Sequence, residues 1–152
     1  GAVTALDVNA DGSLVAVAFD PGTIAILRAE DGRVERAIGQ AGTARDVCFS
    51  HDGRMLLSGG GDRLVRLWDV AAGTPAGRLE GHGDAVLAVR FNSDATLAAT
   101  GSSDGCLKVW NVKTGKELHT LIALGAPVGG VDFSPDGSLA LSAASDGAAT
   151  VW

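Results

Sequence analysis

Residues 46–68 read DVCFSHDGRMLLSGGGDRLVRLW, and the same pattern recurs three times elsewhere in the chain. The other copies align with it without gaps at 5–27 (ALDVNADGSLVAVAFDPGTIAIL), 88–110 (AVRFNSDATLAATGSSDGCLKVW) and 130–152 (GVDFSPDGSLALSAASDGAATVW). Two markers stay in phase throughout: the residue that closes each copy (Leu27, Trp68, Trp110, Trp152) and an apolar residue 19 positions earlier (Val8, Phe49, Phe91, Phe133). Successive markers are 41, 42 and 42 residues apart. A fixed period of this kind indicates a repeat protein.

Each unit has the pattern of a small antiparallel sheet. A tight turn such as Ser50-His51-Asp52-Gly53 precedes a short apolar strand, and a second turn rich in Gly and Asp leads to a strand of alternating character. A more polar fourth strand follows, as expected of an outer edge. The third unit has Asn92-Ser93-Asp94-Ala95 as its first turn, which lacks the glycine and is expected to be weaker.

The first strand of each unit has an irregular apolar spacing. In the second unit the apolar positions are Ala44, Val47 and Phe49, a spacing of three and then two, and every unit repeats it. A regular strand keeps a period of two, so one extra residue recurs at the same place. The spacing therefore predicts a β-bulge in the first strand of each unit, a feature that often re-aims side chains toward a functional rim.

Sheets of this size that are apolar on both faces must stack on neighbours, and radial stacking produces a propeller. The chain resembles the WD-repeat β-propeller proteins over its whole length, through Gly81-His82, Trp68-Asp69, Trp110-Asn111, Asp104-Gly105 and Asp146-Gly147. We therefore predict an all-β propeller of four-stranded antiparallel blades at approximately 1–38, 43–79, 85–121 and 127–152. The last unit contains only three strands, so the ring is expected to be partial or open.

The resemblance implies a structural hydrogen-bond network within a blade. In the third unit the matching residues are all present, namely His82, Thr100, Asp104 and Trp110. The second unit has Gln40, Ser58, Asp62 and Trp68 at these places, and the fourth has Leu124, Ser142, Asp146 and Trp152. The first unit has Val17, Pro21 and Leu27 and is expected to lack the network. The four residues of the third unit are therefore predicted to support the fold locally.

The resemblance also implies a non-catalytic scaffold whose loops on one face bind a protein or peptide. The residues that match this face are Arg45, Asp84, Ser103 and Ser145, and they differ in chemistry while the core markers repeat. His82, Asp104 and a hydroxyl could be taken for a hydrolase triad, but no Gly-x-Ser-x-Gly elbow supports that interpretation. We expect no catalytic residue, no cofactor and no metal site.

Composition narrows the classes of partner and location. The 152 residues carry 12 Lys and Arg against 18 Asp and Glu, a net charge of −6, which disfavours nucleic acid. No apolar run approaches the ~20 residues that span a bilayer, so no membrane partner is expected. Two distant cysteines, Cys48 and Cys106, do not form a disulfide framework, and they favour a reducing, cytoplasmic setting.

Several alternatives remain open from the sequence. The sequence is expected to be a fragment of a longer propeller, whose remaining blades complete the ring, or a half-ring that two copies close. The unit could also be a sensor or regulatory module appended to a bacterial enzyme such as a kinase or protease. In that case the catalytic residues would lie outside these 152 positions.

Overall fold

The computed structural model describes residues 1–39, 42–122 and 125–152, which form fifteen strands in four sheets. We number the sheets as blades 1 to 4 in chain order. Blade 1 contains β1 (Val3–Val8), β2 (Leu14–Phe19), β3 (Thr23–Arg28) and β4 (Val34–Gly39). Blade 2 contains β5 (Ala44–Phe49), β6 (Met55–Gly60), β7 (Val65–Asp69) and β8 (Thr74–Leu79). Blade 3 contains β9 (Val86–Phe91), β10 (Leu97–Ser102), β11 (Cys106–Asn111) and β12 (Glu117–Ile122). Blade 4 contains β13 (Val128–Phe133), β14 (Ala140–Ala144) and β15 (Ala149–Val151).

The strands in each blade follow one another as an antiparallel meander, so sequence order is also spatial order. The first strands β1, β5, β9 and β13 contact one another in succession, and β5, β9 and β13 each also contact the second strand of the preceding blade. This arrangement places the first strand of every blade on the inside of a curved stack. The prediction of an all-β propeller of four-stranded blades, open and with three strands in the last, is confirmed.

The predicted β-bulge is present in all four blades. The pairing between first and second strands shifts register between Val3 and Ala5, between Ala44 and Asp46, between Val86 and Ala88, and between Val128 and Gly130. The extra residues are Thr4, Arg45, Leu87 and Gly129. The three-then-two apolar spacing therefore arises because one residue in each first strand has no partner across the ladder.

Apolar side chains between consecutive blades form the core. One cluster joins blades 1 and 2 around Ile24, Ile26 and Leu56, and a second joins blades 2 and 3 around Leu57 and Trp110. A third cluster joins blades 3 and 4 around Leu107. Since each cluster lies between two sheets, a blade buries its faces only through its neighbours. Within the described ranges there is no helix long and apolar enough to cross a membrane.

Candidate functional site

The structure brings His82, Thr100, Asp104 and Trp110 together in blade 3. His82 lies in the segment before β9 and Asp104 in the β10–β11 turn, while Thr100 and Trp110 lie on the adjacent strands β10 and β11. The distances are 2.8 Å from His82 Nδ1 to Asp104 Oδ2 and 2.7 Å from His82 Nε2 to Thr100 Oγ1. Trp110 Nε1 donates to Thr100 Oγ1 at 2.8 Å. The four side chains form one continuous hydrogen-bonded chain across the blade.

Donor and acceptor chemistry fixes the direction of this chain. An indole N–H can only donate, so Thr100 accepts from Trp110 and has its own hydroxyl proton left to donate to His82 Nε2. His82 must then carry its proton on Nδ1 and donate it to the Asp104 carboxylate. Burial lowers the pKa of His82, and the neighbouring Asp104 opposes this effect only in part. A neutral imidazole is the form that satisfies all of these groups.

Asp104 also ties two loops to each other. Its Oδ2 accepts the backbone N–H of Gly83 at 2.8 Å, and its Oδ1 accepts that of Cys106 at 2.9 Å. Burial raises the pKa of Asp104, but the hydrogen bonds from His82, Gly83 and Cys106 outweigh it, so the net pKa is lowered. Thr100 is fully buried, which leaves its hydroxyl no access to a substrate and argues against the triad interpretation.

Blades 2 and 4 contain the same hydrogen bond from the tryptophan indole to a hydroxyl. In blade 2, Trp68 Nε1 donates to Ser58 Oγ at 2.8 Å, and in blade 4, Trp152 Nε1 donates to Ser142 Oγ at 3.0 Å. Gln40 and Leu124, which the sequence placed at the histidine position, lie outside the described residues. Asp62 instead pairs with Arg66 at 2.6 Å. Blade 1 has the apolar Val17 and Leu27 in place of the hydroxyl and the indole.

The four residues of the proposed partner-binding face lie along one edge of the stack. We call this edge the loop face; it carries the turns between second and third strands and the segments that lead into the first strands. In each blade a backbone N–H of the turn donates to the carbonyl before the first strand: Asp20 to Ala2, Gly61 to Thr43, Ser103 to Ala85 and Ser145 to Pro127, at 2.9–3.1 Å. Ser103 and Ser145 therefore stand beside the starts of β9 and β13.

Arg45 and Asp84 lie on the same edge. Arg45 is the unpaired residue of the β5 bulge and is exposed, and Asp84 is exposed two residues before β9. The Asp84 carbonyl accepts the Ser102 hydroxyl at 3.0 Å, which holds this segment against the β10–β11 turn. Ser145 is exposed and Ser103 is half-buried. The assignment of these four residues to partner binding stays a prediction.

Sequence reasoning missed two carboxylates that connect neighbouring blades. Asp7 Oδ2 of blade 1 accepts the Phe49 backbone N–H of blade 2 at 2.7 Å. Asp46 Oδ2 of blade 2 accepts the Val89 N–H of blade 3 at 2.9 Å and pairs with Arg90 at 2.7 Å. Burial raises the pKa of Asp46, although these partners oppose the rise. The available signal was an acidic residue on an otherwise apolar inner strand.

The two cysteines are free thiols whose environment disfavours ionisation. Burial raises the pKa of the Cys48 thiol to about 11, so the nucleophilic thiolate is scarce near neutral pH. Burial also raises the pKa of Cys106. No group of three or more His, Cys, Asp and Glu residues that could hold a metal ion occurs among residues 1–39, 42–122 and 125–152.

Comparison with protein families identifies the repeat. The family model "WD domain, G-beta repeat" (WD40) matches residues 35–69, 73–111 and 115–152. The chain belongs to the WD40 repeat family. Each matched segment joins the fourth strand of one blade, or most of it, to the first three strands of the next, so the WD40 sequence repeat is offset from the blade by one strand. Most of blade 1 lies outside the matched segments, and it has Leu27 where the other blades have a tryptophan.

Segments of this WD40 chain match segments of longer proteins. It is 40% identical over 70 residues to an uncharacterised WD repeat-containing protein of Synechocystis, covering 45% of this chain and 20% of that protein. It is 50% identical over 42 residues to the probable serine/threonine-protein kinase PkwA of Thermomonospora curvata, covering 28% of this chain and 6% of that protein. The matched parts of the WD40 chain thus cover a fifth or less of the length of these relatives.

Solved structures match the WD40 chain over nearly all its residues. The WD40 repeats of RRP9 superimpose with a TM-score of 0.91 at 26% identity, covering 99% of this chain and 47% of that one. The computationally designed Ika4 protein superimposes with a TM-score of 0.88 at 27% identity, covering 100% of this chain and 91% of that one. WD40 propellers are generally non-catalytic protein-interaction scaffolds.

Proposed function

We propose that this chain is a non-catalytic scaffold that binds a protein or peptide through its loop face. One observation carries the proposal: Arg45, Asp84, Ser103 and Ser145 share one edge of blades 2 to 4, where backbone hydrogen bonds hold the turns against the first strands. Preorganised loops lose little conformational entropy on binding, which favours recognition. The position of Arg45 is occupied by Leu87 in blade 3 and Gly129 in blade 4, and such variation suits a surface that recognises a specific partner.

Electrostatics indicates the kind of partner. Arg45 offers an exposed cation, while Asp84 and Ser145 offer acceptors on the neighbouring blades. A segment with a carboxylate near Arg45 and a cation or amide donors over blade 3 would complement this surface. The net charge of −6 does not favour nucleic acid.

Peptide selection tests the proposal. Peptides are selected from a displayed random library on the immobilised chain and measured by fluorescence anisotropy. Arg45→Glu and Asp84→Lys are expected to weaken binding at least tenfold. The matched control is His51→Ala with Ser93→Ala, since both residues are exposed in turns at the opposite edge. Peptides that lose affinity with the control pair, and not with the loop-face variants, would contradict the proposal.

A second candidate is a regulatory module linked to an enzyme. The 50% identity to the probable kinase PkwA over 42 residues favours it. In this case the loop face would bind a signal or a substrate for a catalytic domain on the same polypeptide. Kinase motifs in the coding sequence beside the chain, together with phosphotransfer that Arg45→Glu deregulates, would support this candidate. Their absence would leave the independent scaffold.

The ring is proposed to be completed by further blades, supplied by the same polypeptide or by a second copy. Apolar residues at both ends of the stack support this proposal, because Val3 and Leu6 of blade 1 and Val151 of blade 4 are exposed. The three inter-blade interfaces within the chain show what such a face packs against.

A further inference from the structure

The two open faces of the stack correspond to faces that are covered elsewhere in the same molecule. Leu6 of blade 1 is 64% exposed, whereas Val47, Val89 and Val131 at the same position are buried against the preceding blade. Val151 of blade 4 is 60% exposed, whereas its equivalents Leu67 and Val109 are buried under the following blade. The repeat therefore indicates that each open face fits a further blade, and the internal interfaces define its chemistry.

One pair of positions limits how closely two neighbouring sheets can pack at each internal interface. It consists of the second-strand residue that lies nine positions before the closing residue of its repeat (the seat) and the first residue of the next blade's first strand (the knob). The internal seat and knob pairs are Ala18 with Ala44, Gly59 with Val86, and Gly101 with Val128. All three knobs are fully buried. The alanine knob thus packs against an alanine seat, and each valine knob packs against a glycine seat.

Steric contact explains the pairing. A methyl group added at Gly59 would lie 2.6 Å from Val86 Cγ1 and 2.8 Å from Val89 Cγ1. At Gly101 it would lie 2.7 Å from both Val128 Cγ1 and Val128 O. Carbon atoms in contact are about 3.5–4.0 Å apart, so a valine knob excludes any seat larger than glycine at this separation of the sheets. Ala18 is accommodated because its knob, Ala44, has no γ carbons.

The two open faces carry a mismatched pair. The free knob of blade 1 is Val3, and the free seat of blade 4 is Ala143. We propose that the open face of blade 1 docks a β-blade of different sequence with glycine at the seat, and that it rejects the open face of blade 4 from a second copy. This inference rests on the part of the proposed function in which further blades complete the ring. It excludes a second copy of this chain as the source of the blade that packs against blade 1.

A pair of one-faced chains tests the inference. The knob chain carries Val151→Asp, which closes its blade 4 face and leaves Val3, Leu6 and Val8 free. The seat chain carries Leu6→Asp, which closes its blade 1 face, and is made with and without Ala143→Gly. The probe for a glycine-bearing blade is thus the seat chain with Ala143→Gly. Association of a labelled knob chain is measured by sedimentation velocity or anisotropy, after circular dichroism shows that each variant is folded.

The seat chain with Ala143→Gly is expected to bind the knob chain at least tenfold more tightly than the seat chain that retains Ala143. A second route changes the other partner: Val3→Ala in the knob chain should improve binding to the retained Ala143 by a similar factor, because it recreates the Ala18–Ala44 pair. Equal affinities across these variants, or no association in any combination, would overturn the inference. A tight dimer of the unmodified chain that Val151→Asp abolishes would overturn it too.

The loop-face peptide assay involves neither open face. Arg45 and Asp84 belong to blades 2 and 3, which lie inside the stack, whereas Val3 and Ala143 belong to the end blades 1 and 4. A loss of peptide binding in Arg45→Glu with unchanged blade association, or the reverse, would therefore show which of the two proposals has failed.

Discussion

Replacing Thr100 by valine should cost more stability than its single hydroxyl suggests. Valine keeps the shape of the side chain, so the change removes only the hydroxyl from a site that is fully buried. That hydroxyl serves two partners, since it accepts from Trp110 Nε1 at 2.8 Å and bonds His82 Nε2 at 2.7 Å. Each buried polar group left without a partner costs about 1–3 kcal/mol. We expect Thr100→Val to lower the free energy of unfolding by roughly 2–4 kcal/mol.

Two variants separate this effect from packing. Thr100→Ser keeps the hydroxyl and loses one methyl group, and it copies blades 2 and 4, where Ser58 and Ser142 accept from their tryptophans. It should cost only about 1 kcal/mol. Ser142→Ala removes a hydroxyl that serves one indole, so its cost should lie below that of Thr100→Val.

Urea unfolding and hydrogen exchange measure the global and the local effect of the substitution. Unfolding followed by circular dichroism gives the change in stability, and exchange of the Trp110 indole proton reports local opening, which suits a repeat fold that can unfold blade by blade. Thr100→Val should speed this exchange while that of Trp68 changes little. If Thr100→Val and Thr100→Ser unfold within about 0.5 kcal/mol of each other, the buried network does not contribute as argued.

Three further outcomes follow from the geometry. Ala95 has a φ of 57° at the turn position where other blades have glycine, so Ala95→Gly should raise the thermal midpoint by relieving about 0.5–1 kcal/mol of strain, and a lower midpoint would contradict this. Because burial lowers the pKa of His82, the unfolded chain binds the proton more readily than the folded chain. The free energy of unfolding, measured by urea titration, should therefore fall as the pH drops below about 6.5. The His82→Gln variant should lose less stability over the same pH range, and an equal loss would refute a neutral buried imidazole. Gly59→Ala should destabilise by about 1–3 kcal/mol, and adding Val86→Ala should restore part of the loss in a double-mutant cycle; additive losses would contradict the seat and knob pairing.

The fold was predictable because repetition turns weak local signals into one strong signal. A single turn such as Ser50–Gly53 or a single Trp68 carries little weight, but four copies in phase determine the architecture. The bulge was predictable for the same reason, since the displaced apolar residue recurs in every first strand. The hydrogen-bond chain through His82 depended on a resemblance, because residues 82 and 104 are distant in sequence and no spacing rule connects them.

Contacts between blades could not be predicted in the same way. The pairing of Asp46 with Val89 N–H and Arg90 joins residues 43 and 44 positions apart on the first strands of neighbouring blades, and no local sequence pattern indicates it. The correlation of Gly59 with Val86 is present in the sequence, but it acquires a meaning only when the sheets are close enough for a methyl group to collide. Sequence periodicity therefore predicts the fold of each blade, whereas the contacts between blades become clear only from the distances between the packed sheets.

The buried hydrogen-bond network of blade 3 is connected to the loop face. Blade 1 folds with Val17 and Leu27 where blade 3 has Thr100 and Trp110, so a blade does not require the polar chain, in keeping with the near-neutral effect of replacing both partners by apolar groups. What the network adds is a connection from His82 and the Gly83 N–H to the Asp104 carboxylate. That connection joins the segment bearing Asp84 to the turn bearing Ser103. Under the proposed function, fixing these two loops relative to each other would reduce the entropy lost when a partner binds, which would link the buried network to recognition at the loop face.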